Sequence, residues 1–323
     1  MALTVTDLSR RINDKWVLRD VSFEAEPGRV FGIFGPSGSG KTELIKLLAG
    51  IDRSKAGAFL LDGRDISHTS YKDRRFQFPI TPPRRFWQSL FNGSDLRPES
   101  GERRLKAIEK AITDADRVLL LDDPFCSMDT QMRSLCIGRL REIARERGLT
   151  VVFATNDYGQ IFDACDSVGI LIGGQIVQTG TPQEIYDAPA NSATASIVGR
   201  NNVFYGRRIT SSKSDLPEFQ TIEGEHRLFT RKSGVGTLGA INKDAPLAIR
   251  PENVVISFGA SFPEDNLIKA VVTGVSPRGA TTRVFLDANG LHLEALVMRL
   301  VGLNIGDECM IALPPDRIQV LKH

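Results

Sequence analysis

Gly35-Pro36-Ser37-Gly38-Ser39-Gly40-Lys41-Thr42 satisfies the pattern G-x-x-x-x-G-K-[ST] at every position. Ahead of it, Arg29-Val30-Phe31-Gly32-Ile33-Phe34 is apolar enough for a buried parallel strand. Behind it, Glu43-Leu44-Ile45-Lys46-Leu47-Leu48-Ala49-Gly50 has helical spacing and a terminal glycine. Strand, glycine-rich loop and helix in that order form the context a phosphate-binding loop requires. The physical reason is that backbone N–H groups at a helix N-terminus, together with the positive end of its dipole, favour a polyphosphate, and glycines let the anion come close. Gly35 to Thr42 would hold the phosphates, Lys41 would reach the β- and γ-phosphates, and the Thr42 hydroxyl would coordinate Mg²⁺.

The sequence around this loop predicts alternating strands and helices. Arg117-Val118-Leu119-Leu120-Leu121-Asp122-Asp123-Pro124 reads as an apolar strand ending in two carboxylates. Downstream of an intact phosphate loop this has the form of a Walker B strand, with Asp122 on Mg²⁺. Met132 to Arg147 is expected to be a helix, Thr150 to Ala154 and Val168 to Ile172 strands, and Pro98 to Asp114 an amphipathic helix. The alternation implies a parallel sheet with ligands at the C-terminal ends of its strands. Leu3 to Phe23 and Ala58 to Gly63 add an antiparallel β-subdomain.

At 323 residues the chain is long enough for two domains. After about residue 200 the pattern shifts to short strands with Gly and Pro turns, such as Leu247 to Ile249, Ala270 to Val272 and Arg283 to Leu286. That texture predicts an all-β barrel-like domain, with the boundary near Gly199 to Asn202. Net charge is only +2, which gives no support to a nucleic-acid partner, and the pairs Arg74-Arg75, Arg84-Arg85 and Arg103-Arg104 read as solvated faces. Four scattered cysteines without C-x-x-C spacing suggest reduced thiols. No apolar run reaches the length of a membrane span.

Together these residues resemble the ATP-binding subunits of bacterial type I ABC importers that carry a C-terminal TOBE domain. Beyond the phosphate loop, the resemblance rests on Leu119 to Phe125, on Met128-Asp129, on Gly174 to Pro182, and on Leu247-Ala248-Ile249-Arg250-Pro251-Glu252. It implies a P-loop NTPase fold, with a RecA-like parallel sheet and an antiparallel β-subdomain over residues 1–200, and a small OB-like TOBE barrel over 201–323. ATP and Mg²⁺ are the implied ligands, with transmembrane subunits and a second ATP-binding subunit as partners, at the cytoplasmic face of the cell membrane.

Five departures from the family pattern qualify this. Asp123 stands where the family has a catalytic glutamate, so its carboxylate is one methylene short of its task and hydrolysis is expected to be slow. Asn156 stands at the switch-histidine position, where an amide donates a hydrogen bond but carries no proton. The signature loop falls on Pro98-Glu99-Ser100-Gly101-Glu102, where only Gly101 matches and Glu99 would repel a triphosphate. Phe76-Gln77 resembles the Q-loop, which makes Gln77 a candidate for contact with Mg²⁺ and the attacking water; most of the helical subdomain that follows is missing. The adenine-stacking position falls near Ile12, with Trp16, Phe59 and Tyr71 as substitutes. These departures favour a degenerate half of a heterodimeric ATPase pair over a homodimer. The other reading is a scaffold or regulatory subunit that binds ATP and hydrolyses little.

Overall fold

Strand β1 (Leu3–Ile12) turns back into β2 (Lys15–Ala25) through Asn13 and Asp14, both at positive φ (48° and 61°). Two such residues make the tight turn that matches the right-handed twist of a hairpin. Strands β4 (Ala56–Leu61) and β5 (Arg64–Asp65) complete an antiparallel sheet in the order β2-β1-β4-β5. The computed structural model describes residues 2–52, 56–74, 76–77, 101–126, 128–212, 216–230, 238–257, 266–298 and 302–322, with the backbone alone for 101–107.

Between β2 and β4 run β3 (Val30–Phe34), buried along its whole length, and α1 (Lys41–Ala49), which ends on Gly50 in the left-handed region. After α2 (Tyr71–Arg74) and α3 (Gly101–Asp114) come β6 (Val118–Asp122), α4 (Thr130–Arg147), β7 (Thr150–Thr155), α5 (Tyr158–Ala164), β8 (Ser167–Ile172) and β9 (Gln175–Gly180). The second sheet has the order β6-β7-β3-β8-β9, parallel except for β9 at its edge. Its inner strands are near-continuous apolar runs, as strands covered on both faces must be. Leu3, Val5 and Phe59 of the first sheet share one core with Leu44, Ile45 and Leu48 of α1 and with Phe31, Leu120 and Val152 of the second.

The expected strands and helices are present, with ends moved by local chemistry. Helix α4 starts at Thr130, two residues before the expected position, because the Asp129 side chain accepts the Met132 N–H at 2.8 Å and caps it. Arg74 corrects the reading of the arginine pairs as solvated. It is 6% exposed; its guanidinium donates to the carbonyls of Leu47 and Leu48 at the end of α1, and to those of Thr69 and Ser67. Burial pushes its pKa down, countered in part by Asp65.

By its contacts the chain divides into two units, Met1–Ile185 and Tyr186–His323, so the division lies within α6 (Pro182–Asp187). In the second unit, α7 (Ser192–Ile197) precedes two five-stranded sheets over a common core that includes Phe204, Phe219, Leu247, Ile268, Leu286 and Ile311. One sheet is built on β10 (Asn202–Ile209) and β11 (Asp244–Ile249), and the other on β12 (Asn266–Pro277), β13 (Thr281–Ala288) and β14 (Glu308–Leu313). Residues 186–200 are tied to this unit by buried Arg250, which donates to the carbonyls of Tyr186, Val198 and Arg200 while its guanidinium lies 3.7 Å from the centre of the Tyr186 ring.

Candidate nucleotide-binding site

The loop from β3 to α1 is built for close approach. A Cβ on Gly35 would lie 2.1 Å from the Leu171 carbonyl oxygen, and Gly38 and Gly40 sit at φ 81° and 105°. Only glycine takes these positions without strain. Gly40 caps α1 without a side-chain hydrogen bond, so the N–H groups of the first turn face the loop with no intrahelical acceptor. The Ser39 hydroxyl is 5% exposed and finds no hydrogen-bond partner among the described residues. A buried hydroxyl without a partner is uncommon, and a phosphate oxygen at this loop would satisfy it.

Lys41 folds over the loop, its Nζ donating to the carbonyls of Gly35 at 2.7 Å and Pro36 at 2.9 Å. Burial lowers the Lys41 pKa, while the nearby Asp122 and Asp123 carboxylates act to raise it. The Thr42 hydroxyl donates to the Asp122 carboxylate. Burial raises the Asp122 pKa, and Asp123 adds to the rise; the Thr42 bond and the charges of Lys41 and Lys46 oppose it. The helix start, one ammonium, one hydroxyl and one carboxylate converge, which is the donor set a magnesium polyphosphate needs. Alongside lies a cavity of about 500 Å³, lined by Ile12, Asn13, Lys15 and Val17 on one side and by Gly38 to Glu43 on the other.

Asp123 joins this cluster in an unusual backbone conformation, φ 45°, pinned by its N–H to the Ala154 carbonyl at 2.8 Å. Aspartate is among the few non-glycine residues that enter the left-handed region readily. The Thr155 hydroxyl lies 3.4 Å from Asp123 Oδ1 and 3.2 Å from Gln160 Oε1, and it accepts the Asp157 N–H. Asp157 caps α5 and also holds the Gln160 amide and Arg133. Asn156 is exposed, directly after Thr155 at the end of β7. The sequence reading passed over this network, although Asp157-x-x-Gln160 is a helix-start signature that could have flagged it.

Gln77, the candidate contact to Mg²⁺ and the attacking water, lies beside β6. It bridges in parallel to Leu119, three residues before Asp122 on β6, and three strand residues span about 10 Å. Its side-chain amide turns to the Asp114 carbonyl. Of the signature positions, Pro98, Glu99 and Ser100 lie outside the described residues, as does the region of the shortened helical subdomain; Gly101 and Glu102 open α3. Among the described residues no helix is long and apolar enough to cross a membrane.

A phosphate loop on a parallel sheet, backed by a carboxylate at the end of the strand one place beyond its neighbour, defines a P-loop nucleotide-binding protein. More particularly, the chain is similar to an ABC ATP-binding cassette followed by a TOBE domain. Residues 18–95 match the ABC transporter family and residues 247–321 the TOBE domain family. It is a homologue of import ATP-binding subunits. It is 26% identical to the molybdate/tungstate import ATP-binding protein WtpC of Pyrococcus horikoshii, over 94% of this chain and 95% of that protein. It is 28% identical to the spermidine/putrescine import ATP-binding protein PotA of Protochlamydia amoebophila, over 85% and 83%. The fold is that of a nucleotide-free ATP-binding cassette from an ABC transporter, with TM-score 0.52 and 16% identity over 62% of this chain and all of the other.

Proposed function

We propose that this chain is the ATP-binding subunit of a solute importer and that it hydrolyses ATP slowly. The observation that carries the reading is the meeting of Lys41, Thr42 and Asp122 beside the buried, unpartnered Ser39 hydroxyl. In this reading Gly35 to Thr42 hold the triphosphate. Thr42 and Asp122 hold Mg²⁺, which supplies charge neutralisation on the phosphates when bound. Asp123 orients the attacking water and Asn156 donates to the γ-phosphate.

Slow hydrolysis follows from the two substituted positions. A base must come within hydrogen-bond reach of its proton, and a displacement near 1 Å costs about 100-fold in rate. With Asp123 short and Asn156 unable to carry charge, a second, fully equipped ATP-binding subunit suits this chain better than a second copy of itself. Transmembrane subunits would then hold the pair at the cytoplasmic face of the membrane. Residues 1–200 would form the nucleotide-binding part and 201–323 the TOBE part. The homologues' cargoes, an oxyanion in one case and polyamines in the other, bracket the class of small charged solutes that this importer would take up.

The test is equilibrium binding of Mg·ATP to the full chain, followed by single-turnover hydrolysis with and without a co-purifying ATPase partner. Binding abolished by Lys41→Ala, with turnover that is slow and Mg²⁺-dependent, is expected. Binding without turnover in either setting would favour the scaffold role, and no binding at millimolar ATP would overturn the reading.

A further inference from the structure

The wall of the cavity that faces away from the phosphate loop comes from the β1–β2 hairpin. Its apolar atoms are those of Ile12 and Val17, with Asn13 and Lys15 as its polar groups. No aromatic ring lines it among the described residues. Each of the three rings that the sequence offered is committed elsewhere.

Trp16 lies between two lining residues, so strand alternation turns it to the opposite face. There the Arg11 guanidinium lies 3.9 Å from the ring centroid and that of Arg19 lies 5.8 Å away. Phe59 is buried in the core, with Arg74 over it at 5.1 Å. Tyr71 packs its backbone against Gly50, past the C-terminal end of α1. That end is a nine-residue helix, roughly 13 Å, away from Lys41.

From this we propose that the site recognises the triphosphate and is nearly indifferent to the base, so that it takes nucleoside triphosphates as a class. This deepens the nucleotide-binding reading and rests on it. The converging set of charged and directional groups lies at the phosphate end, at the α1 start, Lys41, Thr42 and Asp122. The base meets two aliphatic side chains, one amide that both donates and accepts, and one ammonium. None of these distinguishes an amino from a carbonyl base edge sharply, and none supplies a face for stacking. A base stacked on an aromatic ring typically gains a factor of roughly 5 to 150 in affinity, and this wall forgoes it.

Calorimetric titration of the full chain with Mg²⁺ and ATP, GTP or inorganic tripolyphosphate tests the proposal. Dissociation constants for all three are expected within about tenfold of one another. Ile12→Tyr, which puts a ring on the wall, should tighten ATP and GTP at least about fivefold and leave tripolyphosphate unchanged. Trp16→Ala should change none of them. A preference for ATP over either GTP or tripolyphosphate of more than about tenfold would overturn the proposal. So would an Ile12→Tyr protein that shifts all three ligands equally. If neither ATP nor tripolyphosphate binds at millimolar concentration, the nucleotide-binding reading falls and this inference with it, whereas tight tripolyphosphate binding with strong base selectivity removes this inference alone.

Discussion

Replacing Arg74 by methionine keeps most of the side-chain volume and removes the guanidinium that ties the end of α1 to the segment from Ser67 to Thr69. Four carbonyl oxygens, of Leu47, Leu48, Ser67 and Thr69, lose a charged donor at 2.6–3.0 Å. Hydrogen bonds of this kind are worth about 1.5–3 kcal/mol each when broken singly, and they do not add. Leu47 O keeps the Gly50 N–H, and the variant no longer bears the cost of burying a cation, which is several kcal/mol. The net loss expected is therefore about 3–5 kcal/mol. For a unit of this size that corresponds to a fall in Tm of roughly 6–20 °C. Trp16 belongs to the first unit, so tryptophan fluorescence during urea unfolding follows that unit's transition. The midpoint should drop with the slope unchanged. Arg74→Lys, which keeps the charge and loses the fork, should fall between the two. A loss below about 1 kcal/mol for Arg74→Met would refute the argument that this arginine clamps the helix.

Two further predictions concern the site. Because burial raises the Asp122 pKa, the carboxylate protonates earlier as pH falls than an exposed aspartate does. The protonated form cannot bind Mg²⁺, so the Mg²⁺-dependent part of ATP affinity should weaken on acidification already above the ordinary aspartate range; Asp122→Asn should abolish that pH dependence, and a midpoint at the ordinary range would contradict the burial argument. Asp123→Glu should speed single-turnover hydrolysis by about 10- to 100-fold without changing ATP affinity. Thr155→Val, which removes the hydroxyl beside Asp123, should slow hydrolysis about tenfold at unchanged affinity; equal rates for wild type and both variants would show that Asp123 does not act on the water.

The phosphate loop, the strand that feeds it and the helix that leaves it were legible because each depends on residues close in sequence: glycines where φ must be positive, an apolar run, a 3.6-residue period. The Asp122-Asp123 pair was legible for the same reason, once placed at the end of a buried strand. Where Gln77 sits depends on the register between its segment and β6, a pairing across some forty residues that no local pattern specifies. Arg74 looked solvated because an arginine pair says nothing of which carbonyls fold over it.

The sequence by itself thus determined that a polyphosphate-binding turn exists, what flanks it, and that an all-β region follows. The tertiary structure decided what surrounds that turn. Strand alternation carries Trp16 away from the cavity and leaves Ile12 at its wall. The convergence of β3, β6 and β7 sets Asp122 and Asp123 near Lys41 and Thr155 beside Asp123. The physical reason is that helices and turns arise from interactions within a few residues, whereas a site assembled at strand ends takes its geometry from pairings between segments far apart in the chain.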